Sequence, residues 1–258
     1  MARNKNIEPW ILCAASLALL SAGWLMRSFP VLVFVGIAPL FAIVDLAAAR
    51  VKRQSAWNYI ELILLALIVM YWSASFFEGS KLVIGALQAI VIGLAFAAYT
   101  FSKISINDRL GKWLLILYWL AAEFLFLVLA PNQFTYLADS LALKSDWVRW
   151  SQHTGYLGVT AWILLCNLLL YVGLLKERRV QWVGIIFFVI ALALPLWFSH
   201  QLADPGIVRS EMVSLYSTNS VDLPVPYRAQ GEFVSRTASW ISLLILVFSF
   251  VRNKVKQK

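Results

Sequence analysis

Histidine and cysteine are nearly absent, with two of each in 258 residues. His153 and His200 are far apart in the chain, as are Cys13 and Cys166, and no CxxC occurs. Structural zinc sites and dithiol redox centres need such ligands clustered, so neither is expected. There is also no GxSxG elbow, no HExxH helix and no glycine-rich phosphate loop. No cofactor and no metal are expected. Charge is scarce as well. Only 14% of residues are Asp, Glu, Lys or Arg, where a soluble domain carries about a quarter. The abundant component is apolar: 61% of the chain, with a mean hydropathy of +0.77. A water-soluble core of this size cannot hide that excess, and a bilayer is the solvent that suits it. The formal charge of +9 would point to nucleic acid in a soluble protein. Here the basic residues sit beside apolar runs, so membrane topology accounts for them and no nucleic-acid partner is expected.

Fifteen of the 22 Lys and Arg fall into five clusters: Arg3/Lys5, Arg50/Lys52/Arg53, Lys103/Arg109/Lys112, Lys176/Arg178/Arg179 and Arg252/Lys254/Lys256/Lys258. Between consecutive clusters there is room for two crossings of about 20 residues. The runs predict an all-α integral membrane protein, a single membrane domain over 1–258 with eight spans. They are 9–26, 30–49, 57–77, 82–101, 113–130, 154–175, 182–198 and 236–251. Basic residues resist translocation, so the clusters predict both termini inside. The basic N-terminus is read as leading into an uncleaved first helix. Trp10, Trp24, Trp57, Trp72, Trp113, Trp182, Trp197 and Trp240 fall near span ends, where the headgroup layer suits an indole. Trp119 and Trp162 lie deeper and are expected between helices. Two outer loops are long, about 131–153 and 199–235; the second contains Pro205, Pro224, Pro226 and the strand-like Val213, Leu215 and Tyr216.

Ionisable groups inside spans are costly and mark candidate sites. Asp45 and Glu61 lie near span ends and are expected to snorkel or to pair with Arg50, Lys52 or Arg53. Glu123 is deepest, in YWLAAEF; a hydrogen bond between helices and a site role are both open for it. Both histidines fall at the outer ends of their spans. Gly85, Ala89 and Gly93 on the fourth span, and Gly158, Ala161 and Cys166 on the sixth, predict close helix contacts.

Five segments resemble the apolipoprotein N-acyltransferase family, inner-membrane enzymes that acylate bacterial lipoproteins. FPVLVFVGIAPLFAIVD carries Pro30, Gly36, Pro39, Leu40 and Asp45. YWSASFFEGS, residues 71–80, is similar to the aromatic end of the family's third helix. YWLAAEF places Trp119 and Glu123 as the family's Trp and Glu stand. WVRWSQHTGYLGVTAWILLCN carries Trp150, Thr154, Gly155, Gly158, Trp162 and Asn167. YRAQGEFVSRTASW, 227–240, is similar to the lead into the last family helix. The family has eight spans with both termini in the cytoplasm, as the charges here predict. It also inserts a nitrilase-like catalytic domain between the seventh and eighth spans. Only the short segment 199–235 stands there in this chain, so no residue can be matched to the family's catalytic Glu, Lys or Cys. The loop APNQFTYLADS also lacks the family's Trp.

The resemblance implies the membrane half of an acyltransferase without its catalytic half. The expected function is a non-catalytic subunit of the bacterial inner membrane that binds phospholipid or lipoprotein, with possible membrane-protein partners. Its cleft candidates are Trp72, Trp119, Glu123, Trp150 and His153. One alternative is a histidine-dependent membrane acyltransferase using His153 or His200, oriented by Glu123 or Asp204. Another is a small transporter, for which Pro195 and the intramembrane acids are the only cues.

Overall fold

Proline and glycine decide where the apolar runs break. The computed structural model describes residues 8–26, 30–49, 53–76, 82–106, 111–129, 133–176, 180–202 and 233–256, and among them there is no strand. Every predicted span contains helix. The first run folds as α1 (Pro9–Leu25), with proline at the position where its missing N–H costs nothing. The second is interrupted: a 3₁₀ turn at Pro30–Leu32 leads into α2 (Val33–Gly36), then α3 (Ala38–Ala49). Then come α4 (Arg53–Ser75), α5 (Leu82–Ile106) and α6 (Trp113–Leu129). A short α7 (Ser151–Thr154) precedes α8 (Leu157–Leu170), which continues as a π-helical turn over Tyr171–Leu175. The last two are α9 (Trp182–Gln201) and α10 (Phe233–Lys256).

Six of these stretches are long and apolar enough to cross a bilayer: Pro30–Ala47, Asn58–Ser75, Leu82–Ile106, Leu157–Leu175, Trp182–Gln201 and Phe233–Val255. α1 and α6 are apolar but have 17 residues each, about 26 Å at 1.5 Å per residue, against a hydrocarbon core of about 30 Å. The chain is an all-α membrane protein.

The break in the second run follows from Pro39, which offers no N–H and whose ring crowds the preceding turn. Ile37 and Ala38 both donate their backbone N–H to Asn167 Oδ1 on α8, at 2.8 and 2.9 Å. Asn167 Nδ2 donates to the Val33 and Ile163 carbonyls, each at 2.9 Å. All four bonding positions of the amide are thereby used, and a flipped amide would set donor against donor. Ser16 of α1 donates to the Gly36 carbonyl. Broken backbone at membrane depth must be satisfied by protein or water; here buried side chains satisfy these groups.

α8 is the hub. Leu157, Thr160, Ile163, Cys166 and Asn167 are wholly buried, and α2, α6 and α9 pack around it. α4 packs on α5 and α1, and α10 packs on α6 and α5. The small residues predicted for close contact do meet neighbours: a Cβ on Gly85 would touch Tyr71 at 3.4 Å, and one on Gly93 would touch Leu64 at 3.2 Å. A closer approach went unpredicted. A Cβ on Gly184 would lie 2.7 Å from Gly173 Cα and 2.8 Å from Gly173 N, so α9 meets the π turn backbone to backbone.

Residues 133–153, the described part of the expected loop 131–153, differ from it. A 3₁₀ segment, Leu137–Trp147, kinks at Lys144 and is followed by α7. Gly155, at φ 89°, then turns the chain into α8, a conformation that favours glycine. The predicted span 154–175 accordingly starts three residues late. Of the expected linker 199–235, residues 203–232 lie outside the described residues, including Pro205, Pro224, Pro226, Val213, Leu215 and Tyr216.

Candidate functional site

Glu123 ties together three elements that meet at one face of the bundle. It is fully buried on α6. Trp119 Nε1, one turn earlier, donates to Oε1 at 3.0 Å, and the Leu137 backbone N–H donates to the same oxygen at 3.0 Å. Thr160 Oγ1 of α8 donates to Oε2 at 2.7 Å. The carboxylate therefore caps the start of the 3₁₀ segment while joining α6 to α8. Around it, Gln88 of α5 donates to the Thr135 carbonyl at 2.8 Å and accepts from the Thr135 N–H at 3.2 Å. Asp139 accepts from the Tyr136 N–H at 2.8 Å and from the Tyr156 hydroxyl. At the end of α9, Arg149 donates to the Leu202 carbonyl at 3.0 Å and pairs with Asp146 at 2.7 Å, a favourable place for a cation beside a helix C-terminus. Residues 133–155 are thus a bonded cap on this face.

Beside the cap an apolar groove of about 550 Å³ opens in the wall of the bundle. Its floor is α8, through Gly158, Ala161, Trp162 and Leu165; its sides come from α6 at Trp113 and from α9 at Pro195. Trp150 and His153 close its capped end. Pro195 explains the local geometry. It has no N–H to offer the Ala191 carbonyl four residues back, and Trp162 Nε1 donates to that carbonyl instead, at 2.7 Å. The Trp162 ring meets Phe34 edge-on at 4.6 Å and Trp150 at 5.6 Å. The indole is locked, and the groove it lines is pre-formed.

A second, polar cavity of about 300 Å³ is lined by Asp45, Tyr99, Lys103, Lys112, Tyr171 and Lys176 with neighbouring apolar residues, among them Trp113, which also lines the groove. Lys112 Nζ is 2.6 Å from Asp45 Oδ2, 2.7 Å from the Phe41 carbonyl and 3.2 Å from the Tyr171 ring centroid. Lys103 Nζ is 3.2 Å from Asp45 Oδ1, and the Tyr171 hydroxyl donates to Asp45. Burial pushes the Lys112 ammonium down from the usual lysine range to about 7, against the pull of Asp45 in the other direction. Asp45 pairs with Lys103 and Lys112 from the next basic cluster; of the partners expected for it, Arg50 and Lys52 lie outside the described residues, as does the side chain of Arg53. The packing of α3 against α5 brings Lys103 of α5 close to Asp45, a proximity that distance along the sequence does not reveal.

Of the five cleft candidates, Trp150 and His153 line the groove. Trp119 and Glu123 are wholly buried and bonded to each other, beside the groove wall and not in it. Trp72 is exposed on α4, donates to the Leu82 carbonyl at 3.2 Å and does not line the groove. Trp162 is buried between helices as expected, and Trp24, near the end of α1, is buried too. Glu61 lies on an exposed part of α4. No carboxylate among the described residues is hydrogen-bonded to His153 or His200, and Asp204 lies outside them. The three hydrogen-bonded contacts of Glu123 leave it committed elsewhere. No cluster of His, Cys, Asp or Glu able to hold a metal occurs among the described residues.

The sequence reading expected a cleft but missed Ala161, Leu165 and Pro195 in its walls, and it missed the lysines around Asp45. Pro195 was the visible signal for the first, and the density of basic residues for the second. Comparison with family models, curated proteins and solved structures finds no match to the chain.

Proposed function

We propose that the chain is an eight-span protein of the bacterial inner membrane, with both termini in the cytoplasm, that holds an acyl chain of a phospholipid or lipoprotein in the groove along α8. In this reading it is similar to the membrane half of apolipoprotein N-acyltransferase and acts as a non-catalytic, lipid-binding subunit of a membrane complex. The observation that carries the reading is the groove: about 550 Å³, apolar, pre-formed by Trp162 and open in the wall of a membrane bundle. Pockets of this size and lining suit an aliphatic ligand. The alternation of basic clusters supports the topology, and the resemblance around Trp150, Gly158 and Asn167 supports the lipid class.

The test is retention of lipid by the purified protein. Wild type is expected to keep stoichiometric phospholipid or acylated peptide through a detergent wash. Ala161→Trp, which fills the groove, is expected to lose it, while Leu244→Trp on the exposed side of α10 keeps it. Equal retention by both variants overturns the proposal.

His153 at the groove rim motivates the histidine-dependent acyltransferase as a second reading. It predicts acyl transfer by the purified chain that disappears when both histidines become alanine; full activity in that variant eliminates it. The transporter reading is weaker, because the half-helix ends at Ile37 and Ala38 are filled by Asn167, where a carrier leaves such ends to its substrate.

A further inference from the structure

Of the 20 residues of α9 only two are buried, Gly184 near its start and Ser199 near its end. The helix is fixed to the bundle at three heights. At the first turn the backbone of Gly184 meets that of Gly173, and the Gln181 N–H donates to the Gly173 carbonyl at 2.7 Å. Midway, Trp162 Nε1 holds the Ala191 carbonyl. Beyond Pro195 the hydrogen bonds among the described residues run to one short stretch of the cap. Ser199 Oγ accepts from the Arg149 backbone N–H at 2.8 Å and donates to the Asp146 carbonyl at 2.7 Å. The Arg149 guanidinium adds its bond to the Leu202 carbonyl. Apolar packing there is thin: Leu196 and Leu202 are partly buried, while Trp197 and Phe198 are exposed. Between the Ala191 and Ser199 attachments stands Pro195, where the helix lacks a backbone bond and bends most readily. The stretch beyond it carries Phe198 of the groove wall, and the cap residues that bond Ser199 lie next to Trp150 and His153 at the groove's closed end.

We propose that residues 195–201 swing about Pro195 as a gate, that Ser199 and Arg149 are its latch, and that opening the latch admits and releases the hydrocarbon chain held in the groove. The proposal rests on the acyl-binding reading of the groove and adds how that site is regulated. Trp162 keeps Ala191 and the groove floor in place while the gate moves, so the binding shape survives each opening. A net hydrogen bond shifts an equilibrium about fivefold. Removing the Ser199 hydroxyl, which makes two, raises the open population by about tenfold on that scale. Affinity follows the closed fraction and changes by less than about twofold while the closed form stays in the majority. The latch therefore sets how fast lipid exchanges more than how tightly it binds.

The experiment uses the full chain in detergent and two readouts. The first is the distance between spin labels on Leu143→Cys and Gln201→Cys, exposed positions on the cap and at the end of α9; Cys13 and Cys166 are buried. Without lipid, the protein is expected to show one distance, and Ser199→Ala a second, longer one. The second readout is release of a fluorescent phospholipid from unlabelled protein. Ser199→Ala is expected to release it about tenfold faster at an affinity within about twofold of wild type. Arg149→Gln, which drops the tie to Leu202 and keeps the backbone bond, is expected to release it about fivefold faster, and it carries the test should Ser199→Ala not fold. Ser249→Ala removes a buried hydroxyl of α10 that bonds to the Ile245 carbonyl of its own helix at 2.7 Å, and is expected to keep wild-type values. An unchanged distance in the latch variants, or release no faster than wild type, overturns the proposal. Equal acceleration by Ser249→Ala overturns it in favour of general loosening. Wild type that takes up no lipid defeats the groove reading and the gate with it, whereas tight binding with unaltered release in the latch variants defeats the gate alone.

Discussion

Glu123 accepts from Trp119, Leu137 and Thr160, and those three donors are what its loss would strand. A side-chain hydrogen bond between membrane helices contributes modestly, about 0.6 kcal/mol on average, but a buried donor left bare costs about 1–3 kcal/mol. Glu123→Leu is therefore expected to cost several kcal/mol and to lower the thermal midpoint in detergent sharply. Glu123→Gln keeps an oxygen for the two N–H donors and offers its own N–H to the Thr160 hydroxyl, so it is expected to stay near wild type. A large loss in the Gln variant would mean that the charge itself is needed, and the purely structural account of Glu123 would fail. The sequence left a structural and a site role open because depth in a span flags both. What decides between them is that all its partners are supplied by the fold, and two of the three come from distant segments. Asn167 makes the same point. It was legible only as part of a resemblance, and its task, receiving the N–H groups released near Pro39, needs the contact between α2 and α8.

Among the elements, the helices were the most legible, since runs of 17 or more apolar residues leave little choice once polar backbone must be satisfied internally. Their ends were less so. The start of α8 moved because Gly155 turns the chain, and much of the expected loop became a 3₁₀ segment, Leu137–Trp147, because Gln88 and Glu123 hold Thr135 and Leu137 from other helices. The π turn at Tyr171–Leu175 had no sequence signal, yet it sets a close backbone-to-backbone contact, Gly173 against Gly184. Replacing glycine by alanine in a helix gains up to about 1 kcal/mol of propensity, while overpacking costs about 1–3 kcal/mol. At Gly184 the obstacle is backbone and cannot yield, so Gly184→Ala is expected to lower stability by about 1–2 kcal/mol net. At Gly93 the neighbour is the end of the Leu64 side chain, which can turn aside; Gly93→Ala is expected to be neutral or slightly stabilising. Tryptophan-fluorescence melting of the two variants checks both, and an unchanged Gly184→Ala midpoint would rule out the close backbone contact.

For the whole molecule, the pattern of charge and hydropathy was enough to assign an all-helical membrane protein, and no single motif was enough to assign a site. Functional surfaces here are made between elements. The groove draws on α6, α7, α8, α9 and α10, and the polar cavity brings Lys103 and Lys112 onto Asp45 with Lys176 at its edge, from separate stretches of chain. Such gatherings depend on which helices touch, and that is fixed by glycine contacts, proline breaks and the buried bonds of Asn167 and Glu123. The outer helices fit the same picture. Only 11% of the α9 span and 22% of the α10 span are buried within the chain, so their apolar faces are free to meet lipid beside the groove mouth. The most direct test is photo-crosslinking of the full-length protein in bilayers with a phospholipid carrying a diazirine in its acyl chain. The account predicts labels concentrated on α8 between Leu157 and Leu165 and on α9 between Leu194 and Phe198, lost in Ala161→Trp. Labels spread evenly over the outward faces of α9 and α10, unchanged by that substitution, would contradict it.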